Sequence, residues 1–302
     1  MAFCYPKLSK WDLLFCRLGG PGLGNLLFPW ARAKILAYQH GYRFVPPAWP
    51  QLKLGPLVRG ELDSRNYFSL FRVLPTDVRG FRRLTVLLLG EKIPERRHWT
   101  AKEGDVVVTS GMGGLFNDIL PYSEYLHGEL IAMLEPNRLP ELDHRLGTSG
   151  AVAVHVRFGD FMAVDQQMSK QGGANRRQPI EWYASAVDAA RAIFGENTQV
   201  NVFSDAADEE LAPLLRLPHV CRVQGNSAIE DILLIARHRV LIASGSTFSM
   251  WASFLGQMPT LWFPGQMKFR LVRRDASEIE FEPGHPLPPA FASLFNLDEG
   301  ER

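Results

Sequence analysis

The most regular pattern in the chain lies in its second half, where short apolar runs alternate with segments of helical period. Strands are predicted at 152–157, 199–203, 220–223, 239–243 and 260–263, and helices at 179–194, 208–216, 228–237 and 247–255. Runs of four to six small or β-branched residues read as buried strands, and apolar positions at i, i+3 and i+4 read as the helices between them. Repeated β-α alternation predicts a doubly wound parallel sheet. Pro179 suits a helix start, where a missing N–H costs nothing.

The first half is patterned more weakly. Asp12 to Leu18 reads as the first strand, and Gly19-Gly20-Pro21-Gly22-Leu23-Gly24-Asn25 as the turn after it. A helix follows from Leu26 to about Gln39, with Leu27, Ala31, Ile35 and Tyr38 on its apolar face and Gly41 as its stop. A short strand at 42–45 runs into Pro46-Pro47-Ala48-Trp49-Pro50; residues 51–66 read as irregular, 106–109 as a strand and 123–134 as a helix. Basic and aromatic residues interleave from Arg65 to Trp99; a sugar could stack on Trp99, but a solvated charged surface explains them as well. The polar stretch 135–150 serves as a linker. The organisation expected is two Rossmann-like units, 1–140 and 150–302, with a proline-rich acidic tail after Phe281.

Composition narrows the functional classes. A chain of 302 residues that is 46% hydrophobic can bury two cores. Its net charge of +1 gives no reason to expect a nucleic-acid partner. Cys4, Cys16 and Cys221 form neither a disulfide framework nor a zinc knuckle, and a reducing compartment fits them best. No stretch of about 18 uninterrupted apolar residues occurs. The expectation is a cytoplasmic protein, at most peripheral to the inner membrane.

Candidate chemistry gathers where strands end. The run 152–157 ends in Arg157-Phe158-Gly159-Asp160, 199–203 leads into Ser204-Asp205, and 239–243 into Ser244-Gly245-Ser246-Thr247-Phe248. In an open parallel sheet ligands meet the carboxyl ends of strands. An anionic ligand at these ends would need positive charge. With no Asp-x-Asp pair and no histidines at ligand spacing, Arg157 is the leading candidate for that charge and no metal is expected. His155, two residues earlier, points to the same side of the strand. Asp160 is either a general base or a holder of its loop. Asp205 either accepts hydrogen bonds from a bound ligand or caps the next helix, and Ser246 and Thr247 can cap a helix whose N–H groups also bind an anion such as phosphate. The glycine-rich turn is not a dinucleotide fingerprint, because Asn25 stands where the third glycine belongs, and there is no G-K-[ST] of a P-loop.

Four of these segments together, Gly22-Leu23-Gly24-Asn25, His155-Val156-Arg157-Phe158-Gly159-Asp160, Phe203-Ser204-Asp205 and Gly245-Ser246-Thr247-Phe248-Ser249-Met250-Trp251, resemble glycosyltransferase family 11, the α-1,2-fucosyltransferases. The family pattern reads G-G-x-G-N-Q-x-F-x-Y-A, H-x-R-R-G-D-Y, F-S-D-D and N-S-T-F-S-W-W. The resemblance implies a GT-B fold, two Rossmann-like domains facing a cleft, with acceptor on the amino-terminal side and nucleotide sugar on the carboxyl-terminal side. It implies inverting, metal-independent transfer of fucose from GDP-fucose to a galactoside of a glycan or surface polysaccharide. It places Arg157 at the diphosphate, His155 by the nucleotide with Asp205, Ser246, Thr247 and Phe248 around it, and Gly22, Gly24 and Asn25 at the diphosphate or sugar. The chain departs from the pattern at Leu26, Phe158, Phe161, Gly245 and Met250. These departures leave open a different donor sugar, or a non-catalytic relative that only binds nucleotide or glycan.

Overall fold

The computed structural model describes residues 1–52, 67, 70–134, 136, 138, 151–159, 161 and 176–296. Asp160, most of the 135–150 stretch and nearly all of 51–66 therefore lie outside the described residues. The chain divides into two compact units, Met1–Leu139 and Pro140–Arg302.

The amino-terminal unit is built on β1 (Phe3–Lys7), a strand absent from the sequence reading. The run 12–18 taken there as the first strand is instead a hairpin, β2 (Trp11–Leu13) and β3 (Cys16–Leu18), which pair antiparallel. Pro6 and Lys7 obscure the pattern of β1, but four of its five residues are buried. Helix α1 (Leu23–His40) starts three residues earlier than expected, so Gly24 and Asn25 belong to its first turn and Gly22 is its N-cap. Gly41 ends it in the left-handed conformation, φ 65°, which glycine adopts without a Cβ clash. Leu27, Ala31 and Ile35 are buried, but Tyr38 is exposed and lies against Tyr125. The buried surface of α1 is wider than one apolar stripe: Arg32 and Lys34 are inside too. Arg32 donates to Glu95 and to the carbonyls of Ser110, Gly111 and Gly113, while Lys34 pairs with Asp77 at 3.3 Å and Glu129 at 2.8 Å. A buried cation survives because its donors are satisfied.

Beyond α1 come β4 (Arg43–Phe44), β5 (Gln51–Leu52), α2 (Gly80–Leu89), β6 (Lys92–Pro94), β7 (Val106–Ser110) and α3 (Ser123–Met133). The parallel order β4-β1-β7-β6 forms the main sheet of this unit, with β2, β3 and β5 in a second, smaller one. Phe3, Tyr5, Val45, Val78, Val86 and Val106 fill the core on one side of the main sheet. Helix α2 and strand β6 escaped the sequence reading because Phe81, Leu88 and Leu89 are exposed apolar residues that blur the helical period.

In the carboxyl-terminal unit the expected alternation holds. It runs β8 (Val152–Val156), α4 (Ile180–Phe194), β9 (Val200–Ser204), α5 (Asp208–Leu215), β10 (Val220–Arg222), α6 (Ala228–Ile235), β11 (Val240–Ala243), α7 (Thr247–Gly256), β12 (Thr260–Trp262) and β13 (Glu278–Glu280), then a short α8 (Pro289–Ser293). All six strands are parallel, in the order β10-β9-β8-β11-β12-β13. This order places the first strand of the unit at the centre, where the winding reverses, and makes the carboxyl ends of β8 and β11 the natural binding crevice. Every residue of β8 is buried, as for a parallel strand covered on both faces. Val152, Val154 and Val156 pack with Trp182, Tyr183 and Ala186 of α4, leaving Ala153 and His155 to the opposite face.

The last turns of α6 and α7 approach closely through Gly256, where a Cβ would lie 2.5 Å from the Ala236 carbonyl oxygen and 2.9 Å from its Cα. Backbone cannot retreat as a side chain can. Gly256→Ala is expected to destabilise the protein by about 1–3 kcal/mol, the usual range for overpacking. Urea unfolding that gives an unchanged midpoint for this variant would show that the helices separate freely.

Candidate functional site

The centre of the carboxyl-terminal sheet brings three strand ends together. β9 pairs with β8 from Val152↔Val200 to Val156↔Ser204, and β11 pairs with β8 on the other side. The register therefore sets Asp205, just past β9, beside Arg157, just past β8. Arg157 Nη1 lies 2.6 Å from Asp205 Oδ2, with both side chains partly exposed. The other oxygen, Oδ1, accepts the N–H groups of Phe158 at 2.9 Å and Gly159 at 3.2 Å. One carboxylate thus holds both the guanidinium and the backbone that follows it. Gly159 is required by this contact, since a Cβ there would lie 2.2 Å from Asp205 Oδ2.

Asp205 does not cap the following helix. The Ala207 N–H at the start of α5 donates to Glu210 Oε2 at 3.1 Å instead. Glu210 also accepts from Arg177, whose Nε donates to the Phe158 and Phe161 carbonyls, each at 3.0 Å. Arg177 was not singled out in the sequence, because it stands far from any motif and acts through the fold.

His155 sits one layer below Arg157. Its ring stacks on Phe248 with centroids 4.8 Å apart, and Nδ1 lies 2.6 Å from Ser249 Oγ and 2.9 Å from Ser244 Oγ. Ser244 Oγ also lies 2.9 Å from Ser249 Oγ and 3.0 Å from Ser246 Oγ. Ser246 is the N-cap of α7, accepting the Ser249 N–H, and Thr247 is the first helical residue. The cap reading holds for Ser246 and not for Thr247, and the N–H groups of the first turn point along the dipole toward the strand ends. The spacing of Ser244, Ser246 and Ser249 was the signal for this hydroxyl network. Its meaning depends on His155, ninety residues away in the chain.

Two further buried amides adjoin the loop after β11. A Cβ on Gly245 would lie 2.1 Å from Gln266 Oε1 and 3.3 Å from Gln178 Nε2, so the carboxamide of Gln266 fills the space a larger residue would need. Gln178 accepts from the Tyr183 hydroxyl at 3.1 Å, whereas the buried Gln266 Nε2 has no hydrogen-bond partner among the described residues. Phe158 belongs to the hydrophobic core with Tyr183, and Arg177 packs over its ring at 5.0 Å. A cation could not take that position without being buried.

Of the residues expected at a site, the structure brings together His155, Arg157, Asp205, Ser246, Thr247 and Phe248. Gly22, Gly24 and Asn25 belong to the amino-terminal unit, and Asp160 lies outside the described residues. Among the described residues no group of three or more His, Cys, Asp or Glu is placed to hold a metal ion. A cavity of about 370 Å³ lined by Gln257, Pro259, Val272, Arg273 and Ser277 lies at the amino ends of β12 and β13, the opposite edge of the sheet from these groups.

Burial, and secondarily the charge of Arg157, lowers the His155 pKa from 6.5 to about 3. The folded state therefore resists protonation there while the unfolded state accepts it. Stability contributed by the neutral ring is complete above pH 6.5 and is lost as pH falls toward 3, at up to about 1.4 kcal/mol per pH unit. His155→Gln is expected to flatten the unfolding free energy between these limits. Parallel pH profiles for variant and wild type would contradict a buried neutral imidazole.

Comparison with known proteins adds three results. Residues 114–263 match the model of glycosyl transferase family 11. NodZ α-1,6-fucosyltransferase co-crystallized with GDP aligns at a TM-score of 0.52 and 16% identity, over 86% of this chain and 94% of that one. The fucosyltransferase NodZ from Bradyrhizobium aligns at 0.52 and 16% identity, over 94% and 96%. At such identities the likeness is one of fold, and the fold is GT-B-like. No curated protein matches by sequence.

Proposed function

We propose, taking the family 11 match over residues 114–263 as premise, that this chain is a metal-independent inverting glycosyltransferase that moves L-fucose from GDP-fucose to a galactoside hydroxyl in α-1,2 linkage. The acceptor would be a glycan or a surface polysaccharide. The observation that carries the reading is the Arg157–Asp205 pair at the carboxyl end of the central strand, with Asp205 anchoring the backbone on which Arg157 stands. The NodZ structures with GDP and with GDP-fucose support the choice of donor.

The chemistry follows from charge. When the bond from the sugar to the diphosphate breaks, negative charge grows on the departing oxygen, and a fixed cation lowers the barrier more than it tightens ground-state binding. Arg157 supplies a planar fork of donors, suited to two phosphate oxygens at once. Its partner Asp205 holds the fork and offers a carboxylate to guanine or ribose groups. The N–H groups at the start of α7, with the Thr247 hydroxyl, add neutral donors to the phosphates. Neutral His155, stacked on Phe248 and tied to the Ser244 and Ser249 hydroxyls, braces that helix start against β8 and borders the nucleotide. Asp160, from its position after Gly159, is assigned as the base that takes the acceptor proton. Gly22, Gly24 and Asn25 act from the amino-terminal unit, which takes the acceptor.

The direct test is release of GDP from GDP-fucose in the presence of a panel of galactosides. Arg157→Lys, which keeps the charge but loses the fork, should lower kcat by about 10²–10³ while the fold is retained. Retention of most of the rate would remove Arg157 from the diphosphate. Activity should also be unchanged by EDTA; silencing by the chelator with rescue by Mg²⁺ or Mn²⁺ would overturn the metal-independent mechanism. Binding of GDP with no turnover on any donor and acceptor would favour the non-catalytic reading that Phe158 leaves open.

A contrasting pair separates capping from phosphate binding. Ser246→Ala removes the α7 cap and should cost about 1 kcal/mol in stability. Thr247→Ala, outside the cap, should weaken GDP binding about fivefold with little change in stability. Calorimetric titration that finds equal GDP affinity for the Thr247 variant and wild type would leave this helix start with a purely structural role.

A further inference from the structure

The small sheet of the amino-terminal unit is turned inside out. Its register pairs Trp11 with Leu18, Asp12 with Arg17 and Leu13 with Cys16, and then Arg17 with Gln51 and Leu18 with Leu52. Paired residues share a face and neighbours along a strand alternate. One face therefore carries Asp12, Arg17 and Gln51, and the other Trp11, Leu13, Leu18 and Leu52. A sheet with one wet face ordinarily turns its apolar side inward. Here the polar face is the buried one: Arg17 and Gln51 are fully buried, and Arg17 donates to the carbonyls of Ala48 and Trp49. Asp12 accepts from the Tyr5 hydroxyl at 2.9 Å and the Leu8 N–H at 3.2 Å.

The apolar side faces outward. Trp11, Leu13, Leu18 and Leu52, with Phe15 at the hairpin turn, are 45–71% exposed. A contiguous exposed apolar patch of this kind marks an interaction surface. The turn that presents Phe15 is held in place, because Arg83 Nη1 donates to the Leu14 carbonyl at 2.6 Å. Its charges select the partner. Lys10 is exposed with its Nζ 6.0 Å from the centre of the Trp11 ring, and Lys7, three residues before it at the end of β1, is exposed too. The hairpin's carboxylate, Asp12, is turned to the inner face, so among the described residues of the hairpin and its approach the charge beside the apolar side chains is the Lys10 cation.

From this juxtaposition we infer that the β2–β3 hairpin is a docking surface for an anionic phospholipid membrane, with Phe15 and Trp11 entering the interface and Lys7 and Lys10 meeting the headgroups. An amphipathic element with aromatic tips and flanking lysines lies in the plane of the bilayer surface. Among the described residues no helix is long and apolar enough to cross a membrane. The inference does not depend on the transfer reaction.

Flotation of the full chain with vesicles of phosphatidylcholine, alone or mixed with phosphatidylglycerol, tests it. The wild type should float with the anionic vesicles and much less with the neutral ones, and added salt should release it. Lys7→Glu with Lys10→Glu should weaken partitioning about fivefold or more per lysine, since each cation near such a surface contributes about that factor. Trp11→Ser with Phe15→Ser should abolish it. If the latter pair unfolds, the lysine variant alone carries the test. Failure of the wild type to float, or equal flotation of the lysine variant, would overturn the inference. So would a dimer in sedimentation velocity that is lost in the Trp11/Phe15 variant, since that result assigns the face to a second copy of the chain.

Discussion

The arrangement of the candidate site depends on one carboxylate. Asp205 reaches from the end of β9 to the end of β8, where one oxygen pairs with Arg157 and the other accepts two consecutive backbone N–H groups. An arginine beyond a strand end would otherwise sweep through many rotamers, and ordering it costs entropy at the moment of binding. Here the fork is fixed beforehand, which is what an electrostatic catalyst requires. The constraint also explains the glycine at 159, since any Cβ would collide with that carboxylate.

Beneath this exposed pair lies a buried polar layer. His155, Ser244, Ser246 and Ser249 satisfy one another where the start of α7 meets β8, and burial keeps the imidazole neutral. A charged ring there would need a counter-ion that the site does not offer, with Arg157 close by. The layer sets the height and direction of the helix start relative to the strand ends. Two departures from the family pattern belong to the same packing. Phe158 has joined the core, and Gly245 yields its space to the Gln266 carboxamide.

The two units use buried polarity differently. In the carboxyl-terminal unit it gathers at the ends of the central strands and coincides with the motifs. In the amino-terminal unit Arg32 and Lys34 are buried along α1, and Arg17 and Gln51 lie under the small sheet, against Gly20 of the glycine-rich turn. Burial lowers the Arg17 pKa to about 10, so the guanidinium remains charged at neutral pH and must keep its carbonyl partners. That demand holds the hairpin polar side inward and leaves its apolar side outward.

Much of the carboxyl-terminal half was legible in the sequence because the signals are local. A fully buried parallel strand is a short apolar run, a helix is a period, and Arg157, Asp205 and Ser246 mark where each run stops. The amino-terminal half was less legible for an equally physical reason. Strand β1 hides behind Pro6, α2 carries exposed leucines, and the alternation across 11–18 shows period two without saying which face is buried. The sequence by itself determined the β-α alternation, the residues at each strand end and the resemblance to family 11. Tertiary structure alone decided which strand ends are neighbours, that Asp205 anchors Arg157 and not a helix, that Ser249 answers His155, and that the hairpin turns its polar face inward. Those outcomes depend on pairing register and on desolvation, and both are properties of residues brought together from distant parts of the chain.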